Sequence, residues 1–192
     1  MTVEREREVE KKMAELRAEL AALRHEHATP VTQEYRFRTV DGERSLAELF
    51  GRMDDLLVIH NMGSGCPYCT AYADGINGVL HHLERRTAVV LLSNDEPDAQ
   101  KKFAAARGWR FDLVSASGTS FSDDFGFEPK PRDFWPGVIA FRKHGDSIHL
   151  AAKTFFDPGD DLCVVWPLFT LLEEGAADWT PTNSTSKEKI AV

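Results

Sequence analysis

An α/β fold, a mixed sheet flanked by helices with one added helix at the N-terminus, is what three features of the sequence predict. Compact aliphatic runs at 56–59 and 87–92 read as strands buried on both faces. Stretches with helical spacing follow each of them, at 66–83 and 95–107. Two further runs, 138–141 and 148–153, flank Lys143-His144-Gly145-Asp146 as a hairpin would.

The chain has 192 residues, enough for one domain with a substantial core plus appendages. The division predicted is an N-terminal helical arm at 1–28, a domain at 29–177 and a flexible tail at 178–192. A formal net charge of -8 argues against a nucleic-acid partner, and no apolar run is long enough to span a bilayer, so no membrane partner is assigned. The N-terminal Glu4-Arg5-Glu6-Arg7-Glu8 lacks the apolar core of a secretory signal, which points to the cytoplasm. Three cysteines, two of them close together, suit that reducing compartment better than a disulfide scaffold would.

Residues 3–27 contain neither glycine nor proline, and Val9, Met13, Leu16, Leu20 and Leu23 repeat at steps of four and three. The resulting helix carries an apolar seam. That seam can pair with a second copy as a homodimer, lie along the following domain, or belong to a solvated arm. Thr29-Pro30 ends the helix. A half-exposed strand is expected at 35–40, a turn at Asp41-Gly42, and a short helix capped by Ser45 and Glu48 before Gly51.

The strand Leu56-Leu57-Val58-Ile59 leads through His60 and the turn Asn61-Met62-Gly63-Ser64-Gly65 into Cys66-Pro67-Tyr68-Cys69. Pro67 suits the first helical position, so Cys66 becomes the N-cap, where free N–H groups and the helix dipole stabilise a thiolate. Cys69, one turn on, is placed to resolve a mixed disulfide on Cys66. In that helix Ile76, Val79, Leu80 and Leu83 are spaced to face the core, and Gly75 and Gly78 suggest close packing against a neighbour. His60, at the strand end, can assist proton transfer or can be a purely structural hydrogen-bonding residue. Tyr68 is expected to border the reactive sulfur.

Capping by Ser93, Asn94 or Asp95 and a stop at Gly108 bound the next helix, and a strand is expected at 111–114. Residues 115–136 read as a long loop with one short helix. Its Phe121, Phe125, Phe127, Phe134 and Trp135 can line a pocket or pack as core. The apolar run 162–172 reads as a final packed helix started late or kinked by Pro167. Cys163 is expected there as a small buried apolar residue.

Element order and motifs together resemble known families. Gly65-Cys66-Pro67-Tyr68-Cys69-Thr70 looks like the active-site segment of glutaredoxins, and Pro136-Gly137-Val138-Ile139-Ala140-Phe141 resembles the proline-led strand of thioredoxins and peroxiredoxins. The run from the charged N-terminal helix through Ser45-Leu46-Ala47-Glu48-Leu49-Phe50 to the cysteines, and on to about residue 180, is similar to an uncharacterised bacterial family of thioredoxin-like domains of unknown function. The resemblance implies a thioredoxin-like mixed sheet, with Trp135 and a cis Pro136 facing the cysteines. Three positions depart from the better-known families. Gly65 stands where thioredoxin has tryptophan, Trp135 stands where glutaredoxins have the Thr-Val pair that holds glutathione, and Gly63 stands where peroxiredoxins have threonine. The last argues against a peroxidase of that design.

The function expected is a thiol–disulfide oxidoreductase using Cys66 and Cys69, supported by His60, Pro67, Tyr68, Trp135 and Pro136. Its partners would be a protein or small-molecule disulfide and an external thiol reductant, with no cofactor and no metal. Adjacent His81 and His82 cannot both join the cysteines at one tetrahedral ion. The alternative is a non-enzymatic redox-sensing or binding module whose dimer or partner surface responds to oxidation of the pair.

Overall fold

The computed structural model describes residues 2–26 and 28–184. It opens with helix α1 (Thr2–Glu26), followed by strands β1 (Thr29–Pro30), β2 (Arg36–Thr39) and β3 (Gly42–Ser45) and helix α2 (Leu46–Leu49). Strand β4 (Asp55–His60) and helix α3 (Pro67–Leu83) carry the cysteine motif between them. Then come β5 (Ala88–Ser93), α4 (Pro97–Arg107), β6 (Asp112–Ser115), α5 (Phe121–Asp124), the hairpin β7 (Gly137–His144) and β8 (Ser147–Phe155), and α6 (Val165–Phe169).

The strands form one sheet in the order β1-β8-β7-β4-β5-β6-β2-β3. Parallel β4, β5 and β6 form its centre, and antiparallel strands extend both sides. Alternation along the central strands sorts the core into two layers. Leu56, Val58, Val90, Leu92, Ile139 and Phe141 face a layer closed by Phe37, Phe50, Phe121, Phe125 and Phe127. Ile59, Val89 and Leu91 face the other, closed by Tyr72, Ala73 and Leu80 of α3 with Phe156 and Cys163. The aromatic segment before Pro136 thus divides. Phe121, Phe125 and Phe127 are core, Phe134 is half-buried and Trp135 is exposed.

Local signals place several elements as expected. Ser45 and Glu48 form a complete capping box on α2. Gly108, with φ 69°, caps α4 in the left-handed conformation. Other expectations are corrected. Polar β3 has no hydrophobic pattern because it is an edge strand, paired only with β2. Val79 is exposed, since Cys69, Tyr72, Ala73 and Leu80 define the inner face of α3 and Val79 falls at its edge. A Cβ at Gly78 would meet nothing within 4 Å, and one at Gly75 only Val164 at 4.0 Å, so neither glycine serves close packing. Helix α6 is only five residues long and buries none of them, with Pro167 in its first turn. The Trp135–Pro136 peptide, expected cis, is trans like every other among the described residues. Hydrogen bonds from Trp135 N–H to Phe127 O (2.8 Å) and from Phe156 N–H to Pro136 O (2.9 Å) carry the chain through it into β7.

Of the stretch expected as a tail, residues 185–192 lie outside the described ones. Trp179 packs against Trp166 and Phe169, with ring centroids 5.4 and 4.9 Å away, and Pro181 is buried. Among the described residues no helix is long and apolar enough to cross a membrane.

Candidate active site

Asn61 N–H donates to Leu92 O at 2.8 Å and so prolongs the β4–β5 pairing by one residue before the chain turns. The turn is built on side chains. Asn61 Oδ1 accepts the Gly63 N–H at 2.7 Å, and the carboxylate of Asp95, just past β5, accepts the Ser64 N–H at 2.7 Å. Gly63 has φ 110°, and a Cβ there would lie 2.8 Å from Asp95 Oδ1. Glycine is therefore required by both conformation and space. Cys66 N–H then donates to Gly63 O at 3.1 Å, which delivers Cys66 to the start of α3.

Cys66 is the N-cap residue of α3, with extended backbone and Pro67 at the first helical position. Its Sγ accepts the Cys69 N–H at 3.2 Å, so the sulfur occupies the place of a capping oxygen. It is half-buried. Hydrogen bonds from the Cys69 thiol and from the Cys69 and Tyr68 backbones bring its pKa down to about 6, against the opposing effect of burial. Cys69 is 2% exposed. Its thiol donates to Cys66 and is shielded from water, so its pKa is pushed well above the ordinary thiol range. One sulfur is thus a thiolate at neutral pH and the other holds the proton.

The remaining predicted residues make contacts of their own. Tyr68 stacks on Trp166, 6.4 Å between centroids and 18° between planes. His60 is fully buried at the end of β4, beside Gly137 of β7. Its Nδ1–H donates to Trp135 O at 2.8 Å and its Nε2 accepts from Ser122 Oγ at 2.9 Å. Burial brings its pKa down to about 4, so the ring is neutral with both nitrogens committed. His60 therefore ties the end of β4 to α5 and to the segment before β7. Trp135 packs its ring on Phe155 at 5.3 Å, and Pro136 directly precedes the β7 residue paired with His60. Cys163 is a buried thiol in the layer containing Tyr72 and Phe156, with its pKa raised by burial.

Two groups escape sequence reasoning. Asp95 reads as a helix cap, yet its carboxylate holds the turn before Cys66 and the N-cap of α4 is Glu96. Asn183 reads as tail, yet its Nδ2 donates to Ser64 O at 2.9 Å and its carbonyl accepts from Arg107 Nη1 at 3.1 Å. Arg107 is itself paired with Asp74 of α3. Among the described residues no group of three or more His, Cys, Asp or Glu side chains is gathered to hold a metal ion. A cavity of about 530 Å³ opens between residues 30–35, 45–47 and 146–149, and none of the predicted site residues lines it.

The mixed sheet flanked by helices, with the cysteine pair at the N-terminus of the helix leaving its central strand, is a thioredoxin-like fold. Over residues 3–185 the chain matches, and belongs to, the family described as bacterial protein of unknown function (DUF899). No curated protein matches it. Among solved structures it is similar to a peroxiredoxin-like protein from Aquifex aeolicus, at 18% identity and TM-score 0.50, over 64% of this chain and 72% of that one. Peroxiredoxin Q from Xanthomonas campestris is similar at 17% identity and TM-score 0.53, covering 63% and 79%. A peroxidoxin from Mycobacterium tuberculosis is similar at 20% identity and TM-score 0.52, covering 60% and 77%. At such identities the likeness is one of fold.

Proposed function

We propose that the protein is a thiol–disulfide oxidoreductase acting through Cys66 and Cys69 in a reducing, cytoplasmic compartment. The observation that carries this reading is the asymmetry of the pair, a half-exposed Cys66 thiolate capping α3 beside a buried, protonated Cys69.

The Cys66 thiolate attacks one sulfur of a protein or small-molecule disulfide. A Cys66–substrate disulfide forms as the substrate S–S bond breaks, and the departing thiolate takes up a proton. Once Cys66 is in a disulfide it no longer accepts from Cys69, so the Cys69 thiol can lose its proton and attack Cys66 Sγ. The second substrate thiolate leaves and is protonated in turn. Two electrons have passed to the substrate, and the Cys66–Cys69 disulfide must be reduced by an external thiol. The turn held by Asp95 and Asn61 keeps Cys66 at the helix end, and Tyr68 with Trp166 forms an aromatic border beside the motif.

Insulin reduction with a dithiol as electron source tests the reading, together with alkylation kinetics of Cys66. Turnover abolished by Cys66→Ser, and a mixed disulfide retained by Cys69→Ser, are expected. Absence of turnover with every dithiol and disulfide offered, alongside a Cys66 pKa equal to that of free cysteine, overturns it. The redox-sensing alternative, with residues 3–27 as output, has less support. Helix α1 meets the domain through Arg17–Asp161 and Arg24–Thr154, contacts that involve neither the cysteines nor the turn before them.

A further inference from the structure

Helix α1 has two faces with different fates. Arg17 reaches Asp161 at 2.6 Å and Arg24 reaches Thr154 Oγ1 at 2.9 Å. Ala21, Arg24 and His25 border a shallow groove whose other wall includes Leu57, Val138 and Leu162. That face rests on its own domain. Val9, Met13, Leu16, Leu20 and Leu23 lie about a quarter-turn away at 100° per residue, and they are 42 to 63% exposed. The seam runs for about 21 Å along the helix, a length of uncovered apolar side chains that a solvated arm does not need.

The charges beside the seam indicate what covers it. In a paired helix the flanking positions on one edge are Arg5, Lys12, Glu19 and Glu26, and on the other Glu10, Arg17 and Arg24. The first edge is positive in its N-terminal half and negative in its C-terminal half. All four of its residues are exposed. The second edge has the opposite order, and its two arginines are already held by the domain. An antiparallel partner brings first edge against first edge, Lys12 beside Glu19 of the partner subunit and Arg5 beside Glu26 of the partner subunit. A parallel partner brings first edge against second: Arg5 meets Glu10 of the partner subunit and Glu19 meets Arg24 of the partner subunit, but Lys12 meets Arg17 of the partner subunit, like charge against like, and both arginines are already held by the domain. The exposed first edge is therefore complementary to itself at every pair when reversed, and only in part to the second edge when parallel.

We propose that the protein forms a homodimer in which α1 of one subunit pairs antiparallel with α1 of a second, covering the seam from Val9 to Leu23. This inference stands apart from the cysteine chemistry and survives its failure. Sedimentation equilibrium on the full chain is the test, with circular dichroism and the rate of Cys66 alkylation reporting that each variant is folded. Twice the mass of one chain is expected for the wild type, and a monomer for the Leu16→Glu, Leu20→Glu double variant. Lys12→Glu and Glu19→Lys should each weaken association about tenfold, because each change acts twice in a two-fold dimer, and the two together should restore it. A wild-type monomer at the highest soluble concentration overturns the proposal, as does a dimer indifferent to the seam variant, which would use another surface. Tighter association in Lys12→Glu overturns it too, since that is the signature of the parallel arrangement.

Discussion

Asn183 donates its side-chain amide to the carbonyl of Ser64, 119 residues earlier, at 2.9 Å. The chain beyond α6 thus returns to the turn that presents Cys66. It is anchored on the way by Trp179 against Trp166 and Phe169, and by Arg107 on the Asn183 carbonyl. Removing that amide in Asn183→Ala should cost about 1 kcal/mol, the net value of one such hydrogen bond. The local effect is the sharper test. Hydrogen exchange at the amides of residues 64–66 should quicken, while exchange in β5 stays unchanged. Unaltered exchange in the turn would show that the contact does not restrain it.

Cys66 and Cys69 should titrate in opposite directions. Alkylation of reduced protein by iodoacetamide should rise to half its maximum near pH 6 and belong to Cys66 alone, since Cys69 is buried and holds its proton. Stability follows with a definite sign. A thiol whose folded pKa is about 6 contributes stability that is full above the unfolded value of about 8.5 and is lost as pH falls toward 6. Cys69, raised in the fold, acts the other way above about pH 8.5. Urea unfolding of the reduced protein, referred to the oxidised form, should therefore strengthen from pH 6 to about 8.5 and weaken beyond. A flat difference across that range would contradict the asymmetry of the pair.

Much of this arrangement can be read from neighbouring residues in the chain. Pro67 after Cys66, the aliphatic run before them and the single turn to Cys69 are local signals, and so is the Ser45–Glu48 capping box. The same holds for the hairpin turning at Gly145, where φ is 60°. Distant contacts have no such signature. Asp95 offers a helix cap and a turn ligand with the same carboxylate, and only the packing of β5 beside β4 decides between them. The apolar spacing of α1 marks a seam and the apolar run around α6 predicts a packed helix, yet periodicity carries no information on whether a partner surface is present. His60 shows the same gap. Its position in the sequence indicates a strand end, whereas its chemistry depends on Ser122 and Trp135, 62 and 75 residues away.

His60 should behave as a neutral structural residue. With a folded pKa of about 4 against an ordinary value of 6.5, its ring resonances should not titrate between pH 5 and 8. The unfolded chain takes up the proton first as pH falls, so the stability this site contributes is present above about 6.5 and lost toward 4. His60→Gln, which keeps one donor and one acceptor, should flatten that acid-side slope in urea unfolding. A ring that titrates near 6.5 would instead place His60 in contact with solvent and free it for proton transfer to the cysteines.

Gly63 and Asp95 should prove energetically coupled. Gly63→Ala forces a side chain into φ 110° and brings its Cβ to 2.8 Å from Asp95 Oδ1. Strain of this kind costs about 1–3 kcal/mol. Asp95→Ala removes the acceptor of the Ser64 N–H, a loss of about 1–2 kcal/mol for a partly buried donor. Combining the two relieves the contact while leaving the backbone strain in place. The double variant should therefore lose less stability than the two single variants added together. It should still lose more than Asp95→Ala alone, because the φ requirement remains. Strict additivity in urea unfolding would mean that the carboxylate moves aside freely when Gly63 acquires a side chain, so that its closeness to Gly63 does not restrict the residue at that position.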